Sequence, residues 1–159
     1  ISKHFAQQIY EVHFGTPWYG LSFRDSIPTI DPAIVFKLTK ENLNTIAQTL
    51  AHATQWRKSV SNIILSQPPD LSVTHPLNWQ SNDQLREIGW ATLITQSNEA
   101  AHHLVDFLKQ IDDQRLNKTY TSNSGNTYSF EALINGIIQH DVYHLGQIIT
   151  MKKLLENTQ

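Results

Sequence analysis

Cysteine is absent from this chain of 159 residues. That absence excludes disulfide bonds, zinc sites with cysteine ligands, iron–sulfur clusters and a cysteine nucleophile. A reaction that used a thiol would therefore need the thiol from a second molecule.

A strong charge of either sign is also missing. The chain has 12 Lys and Arg against 14 Asp and Glu, which gives a formal net charge of -2. This balance gives no electrostatic reason to expect a nucleic acid or an anionic membrane as a partner. No apolar run reaches the roughly 18 residues of a membrane-spanning helix, and the first residues lack the apolar core of a signal peptide. We expect a cytoplasmic protein.

Helical periodicity dominates what is present. Apolar residues recur at spacings of three and four in four segments, near residues 3–13, 41–66, 82–111 and 129–155. No segment shows a convincing alternating strand pattern. Long helices with one apolar stripe each close naturally as a bundle. The sequence therefore predicts an all-α four-helix bundle with long inter-helix connections, formed by residues 1–159 as one domain.

The first connection is rich in apolar and aromatic side chains: Trp18, Tyr19, Leu21 and Phe23. A solvent-exposed linker would not need these groups. We therefore predict that the segment packs back onto the bundle, through a short helical turn around residues 21–26.

The later connections carry predictions of their own. Residues 67–82 contain three prolines and scattered polar residues, so they form a long loop, and loops of that length often cover a functional site. The turn-rich sequence before the last helix favours a small hairpin closed by residues 123–126. Ser129 suits the N-cap of that helix.

Two histidines interrupt the apolar stripe of the last helix. At 100° per residue this stripe contains Phe130, Leu133, Ile137, His140, His144, Ile148, Met151 and Leu155. His140 and His144 lie one turn apart, with Cβ atoms roughly 5–6 Å from each other. Two imidazoles at that spacing can share one metal ion if a third ligand comes from another helix.

His52 is the candidate third ligand. It lies in the middle of the second long helix, at the depth where that helix would meet the last one. Three neutral imidazoles leave an open position on a divalent ion, as in catalytic zinc sites. Trp56 could wall one side of the site, and Gln147 could orient a bound water or support a ligand. The other histidines, at positions 4, 13, 75, 102 and 103, are expected to be structural or exposed.

Two alternatives stay open at this level. An H-x-x-x-H spacing in a helix is a weak signal, and each histidine could simply bond a buried carbonyl or carboxylate. Residues 140–144 also differ from the zinc-protease motif H-E-x-x-H only by the shorter acid, Asp141. Asp141 points about 100° away from His140 on the helix, and few residues follow to supply a third ligand, which disfavours a protease.

Three segments together resemble the DinB/YfiT-like superfamily of metal-binding four-helix bundles. The strongest is residues 138–148, IQHDVYHLGQI, which resembles the last-helix signature of that family. Residues 50–57, LAHATQWR, resemble its second-helix histidine motif, and residues 15–22, GTPWYGLS, resemble its first connection more loosely. The resemblance implies a divalent metal held by His52, His140 and His144, most often zinc or nickel, and frequently a homodimer.

Several functions are compatible with that resemblance. Relatives include transferases that use low-molecular-weight thiols, so the leading hypothesis is a metal-dependent S-transferase acting on a small-molecule substrate. Trp56, Asp141 and Gln147 are the candidates for residues that support the ligands. The alternatives are a metal-dependent hydrolase, which would use a metal-activated water, and a non-catalytic metal-binding bundle with a closed coordination sphere. A histidine-bearing bundle without metal is the last alternative.

Overall fold

The computed structural model describes residues 1–40, 44–67, 71–122 and 124–157. Within these ranges the regular structure is mostly α-helical. Its helices are Ser2–Phe14 (α1), Phe23–Ser26 (α2), Ile46–Ile64 (α3), Asn82–Ile88 (α4), Trp90–Gln110 (α5) and Phe130–Glu156 (α6). One antiparallel hairpin pairs Thr119–Thr121 (β1) with Thr127–Ser129 (β2). The fold class is all-α, as predicted, and the hairpin is confirmed, although residue 123 lies outside the described residues.

The four long helices form a closed arrangement. Both α5 and α6 pack against α1 and against α3, so α1 lies diagonally opposite α3. Each long helix presents an apolar face to this centre, which is what stabilises a bundle. No helix in the described part of the chain is long and apolar enough to cross a membrane.

Local signals fix where the helices begin. Thr45 and Gln48 form a reciprocal capping box at the start of α3, and Ser81 and Gln84 form another at the start of α4. Ser129 caps α6 as predicted, since its hydroxyl accepts the Ala132 N–H. The predicted start of the second helix at residue 41 was too early; residues 41–43 lie outside the described residues, and α3 begins at Ile46.

The predicted third helix is wrong as a continuous element. Gly89 separates α4 from α5, with φ of 86°, a value that residues with a side chain rarely adopt. The glycine ends one helix and starts the next, which turns the chain between them. The side chain of Asn82, at the start of α4, then accepts a hydrogen bond from the hydroxyl of Thr45 at 2.8 Å.

The first connection differs from its prediction too. The short helix α2 confirms the predicted turn, and Phe23 within it is buried. Trp18, however, is 97% exposed, and Tyr19 and Leu21 are also exposed. The prediction that these three residues pack onto the bundle is therefore wrong for this chain on its own.

A polar layer crosses the bundle between two apolar clusters. One cluster contains Leu50 of α3 and Ile148 of α6, and the other contains Val60 of α3 and Ile134 of α6. The residues between these positions on both helices include the three histidines singled out above. The fold therefore places them at the same depth in the bundle.

Candidate metal centre

The three predicted histidines meet. The Nε2 atom of His140 lies 3.2 Å from Nε2 of His52 and 3.1 Å from Nε2 of His144. The three side chains, one from α3 and two from α6, form a group that could hold a metal ion. His52 and His144 are buried and His140 is half-buried. Helix periodicity and the contact of α3 with α6 bring them together.

Hydrogen bonds fix the protonation of two of these rings. Nδ1 of His52 lies 2.8 Å from the carbonyl oxygen of Asn78, and Nδ1 of His144 lies 2.7 Å from Oε1 of Gln147. Both partner oxygens can only accept, so each Nδ1 carries the proton. In each neutral ring Nε2 is therefore the bare nitrogen, and both bare nitrogens face Nε2 of His140.

Burial keeps these rings neutral. Burial, and after it the neighbouring His144, lowers the pKa of His140 to about 4. Burial also lowers the pKa of His52 and of His144, against the opposing effect of their hydrogen bonds to Asn78 and Gln147. At neutral pH all three imidazoles are uncharged, the form that binds metal.

This donor set fits a divalent ion. The Nε2 atoms of His52 and His144 carry no proton, and a neutral His140 can place at most one proton on its own Nε2. At least two lone pairs therefore point toward the place where the three nitrogens converge. Ligands about 2.0–2.1 Å from a tetrahedral zinc ion lie about 3.3 Å apart. The observed separations of 3.1 and 3.2 Å are close to that value. A cation would bind all three nitrogens at once.

The loop before α4 closes one side of the group. Its Trp79 stacks on the ring of His52, with centroids 3.8 Å apart. Asn78 accepts the His52 proton through its backbone and the Trp56 indole N–H, at 2.9 Å, through its side chain. The prediction that this loop covers a site agrees with these contacts. Neither Asn78 nor Trp79 was predicted from the sequence.

The other side opens into a cavity. Its volume is about 660 Å³, within the range of small-molecule sites. Its walls include Thr49, Trp79, Tyr143, His144, Gln147 and Thr150. Outside this cavity lining, the Trp56 ring lies beside that of His140, with ring centroids 6.2 Å apart.

A second polar cluster lies directly behind the histidine group. The Asp141 carboxylate accepts hydrogen bonds from Nε of Arg57 and Nε2 of His13, each at 2.9 Å. Arg57 also donates to the carbonyl oxygen of Ser97 at 2.8 Å. Arg57, Asp141 and His13 are all fully or almost fully buried. Asp141 thus bonds to this cluster rather than to a histidine of the metal group.

The charges in this cluster balance. Burial alone would raise the pKa of Asp141, but Arg57 and then His13 outweigh that effect, and the pKa is lowered. Burial and Arg57 lower the pKa of His13 to about 4, so His13 is neutral. The cluster is therefore a buried ion pair with a neutral imidazole. His13 has the structural role predicted for it, while Arg57 was missed.

The remaining histidines stay outside both clusters. His102 and His103 are exposed on α5, as predicted, and the His102 ring stacks on Phe14 with centroids 3.9 Å apart. His75 lies in the loop before α4, where its Nδ1 accepts the Leu77 N–H.

The fold and the histidine group define the class: an all-α bundle with a three-histidine group between two of its helices. A family model described as the DinB superfamily matches residues 24–148, which include all three histidines. The chain belongs to the DinB superfamily. No curated protein and no solved structure matches the chain significantly.

Proposed function

We propose that this protein is a metal-dependent enzyme that transfers a low-molecular-weight thiol to a small electrophilic substrate. His52, His140 and His144 would hold the divalent ion, which is zinc or nickel. The convergence of three uncharged ring nitrogens beside a cavity is the observation that carries this proposal. The transfer step itself rests on the resemblance of the chain to thiol-dependent relatives.

The ion would supply electrophilic chemistry. A divalent ion on three neutral ligands favours the deprotonated form of a thiol or water at its remaining position. In the transfer, the thiol loses its proton to solvent water, its sulfur bonds to the electrophilic carbon, and the bond to the leaving group breaks, so that this group departs with the bonding electrons. The chain contains no cysteine, so the thiol enters as a second substrate.

The surrounding residues position the ligands. Gln147 accepts the Nδ1 proton of His144 and Asn78 accepts that of His52, so both rings present Nε2 to the same point. Such partners fix ring orientation and raise ligand basicity. Trp56 contributes indirectly, by donating to Asn78.

The cavity favours catalysis over a closed structural site. A non-catalytic metal site would fill its coordination sphere with protein groups. Here the wall that includes His144 faces about 660 Å³ of space. The same space would admit a substrate for hydrolysis, so the test must separate transfer from hydrolysis.

The test begins with the metal content of protein purified without a nickel column. We expect one divalent ion per chain in the parent, the same in His103→Ala, an exposed control, and loss of the ion in His144→Ala. The zinc- or nickel-loaded parent is then assayed with cysteine plus an activated aryl chloride, and separately with p-nitrophenyl acetate. Thioether formation that requires His144 supports transfer. Ester hydrolysis alone indicates the hydrolase, and a protein that takes up neither metal contradicts the proposal.

A further inference from the structure

A chain of hydrogen bonds leads from His144 to the cavity wall. Nδ1 of His144 donates to Oε1 of Gln147 at 2.7 Å, and Nε2 of Gln147 donates to the hydroxyl oxygen of Tyr143 at 2.9 Å. All three residues lie on α6 and border the cavity. Tyr143 is 61% exposed, so its ring stands at the surface of that space.

The direction of these bonds determines where the Tyr143 proton can go. When the His144 ring uses Nε2 toward His140, its Nδ1 carries the proton, and the amide oxygen of Gln147 must face it. The amide nitrogen of Gln147 then faces Tyr143, whose oxygen accepts. The phenol proton is left to point away from Gln147.

Two other hydroxyl groups of the same wall already donate hydrogen bonds within the protein. Thr150 donates to the carbonyl oxygen of Gly146 at 2.9 Å, and Thr49 donates to that of Thr45 at 3.0 Å. Each forms a hydrogen bond within its own helix. Tyr143 therefore differs from both, because its oxygen accepts within the protein and its proton remains for a ligand.

We propose that Tyr143 is a specificity-determining donor for the ligand of this cavity. The ligand carries an acceptor oxygen, such as a carboxylate or carbonyl, in addition to the group that reaches the histidines. This inference rests on the proposed function only for the thiol end of the ligand. It assigns the other end to Tyr143.

The experiment compares three probes by calorimetric titration of the zinc-loaded protein: mercaptoacetate, ethanethiol and acetate. Mercaptoacetate has a thiol and an acceptor, ethanethiol has only the thiol, and acetate has only the acceptor. We expect Tyr143→Phe to weaken mercaptoacetate and acetate about fivefold to tenfold, the effect of one hydrogen bond, and to leave ethanethiol unchanged. The matched control Tyr10→Phe, at an exposed position of α1 away from the cavity, should change none of the three.

The ratio of mercaptoacetate to ethanethiol affinity is the readout that a purely structural tyrosine would not move. An unchanged ratio in Tyr143→Phe, with both thiols bound by the parent, overturns the donor role and leaves thiol binding intact. Acetate binding that depends on Tyr143, with no thiol bound, supports the donor role and contradicts the thiol transferase. A zinc-loaded parent that binds none of the probes overturns both.

Discussion

The two polar clusters of this bundle share helix α6 but differ in charge and in access to the cavity. His140 and Asp141 are consecutive residues, yet His140 is one of three neutral imidazoles beside a cavity and Asp141 belongs to a buried ion pair. In the histidine group, ring nitrogens with free lone pairs converge on one point. In the ion pair, the positive charge of Arg57 neutralises the negative charge of Asp141.

The difference shows how one helix can serve binding and stability together. A buried ion pair whose partners are both present gains little over apolar residues, but losing one partner is strongly destabilising. The three imidazoles are uncharged at neutral pH, so the loss of one of them leaves no buried charge without a partner. We therefore expect changes in the ion pair to act on folding, and changes around the imidazoles to act on metal affinity.

The largest effect should come from Arg57→Met. This change leaves the Asp141 carboxylate buried with only His13, and we expect a loss of about 3–5 kcal/mol in the free energy of unfolding. Urea denaturation of the metal-free protein measures it. The double variant Arg57→Met with Asp141→Leu should recover much of the loss, because no charge is left buried. A single variant as stable as the parent would mean that Asp141 does not depend on Arg57.

Acidification should have the next largest effect, and it acts on both clusters, because each contains a histidine whose pKa is lowered to about 4. The pKa of His13 is about 4 in the folded protein and 6.5 when unfolded, with Asp141, Arg57 and His102 as its charged or titratable neighbours. As pH falls below 6.5 the unfolded chain takes up a proton that the folded one refuses, so stability falls.

His13→Gln tests this linkage. Glutamine keeps a donor for Asp141 but does not titrate, so between about pH 7 and pH 5 the variant should lose about 2 kcal/mol less than the metal-free parent. Denaturation at both pH values gives the difference. His103→Gln, at an exposed position, is the control and should follow the parent. A His13→Gln variant as pH-sensitive as the parent would assign the dependence to the other histidines.

A smaller effect is expected at Gln147, on the metal side of the comparison. Gln147→Leu removes the acceptor for the Nδ1 proton of His144, and such losses weaken metal affinity about 10–100-fold. Competition with a chelator of known affinity measures it. The control is Gln139→Leu, at an exposed position of the same helix, which should bind metal as the parent does. A large loss of folding stability in Gln147→Leu would contradict the expectation that changes around the imidazoles act on metal affinity.

The smallest effect should come from Trp56→Phe. The change keeps a ring beside His140 but loses the N–H that bonds to Asn78, so we expect about 1 kcal/mol or less in stability. Metal affinity should fall only a fewfold. Trp90→Phe, at a partly buried position without a role at the site, provides the comparison. Equal losses of metal affinity in both variants would show that Trp56 has no specific role at the site.

Most of the histidine group was predictable from the geometry of single helices. His140 and His144 share a stripe through helix periodicity alone, and His52 needed only a correct estimate of depth in a bundle. Their partner Asn78 was not predictable, because it contributes a backbone carbonyl that any residue could supply.

The buried ion pair could not be predicted from the sequence, for a different reason. His13 and Asp141 are 128 positions apart, and their meeting depends on how α1 rotates against α6. Gly89 and Trp18 show the same limit. The helical pattern continues through Gly89 and does not reveal its positive φ, and an aromatic residue carries no sign of which surface it faces.

The stack of Trp79 on His52 bears on whether the site forms during folding or only when a metal binds. With its ring held by an indole face and by the Asn78 carbonyl, His52 already has the orientation that a metal would need. The entropy of fixing this side chain is then lost when the chain folds, before any ion arrives. Folding assembles the site, and an ion would meet ligands that are already in place.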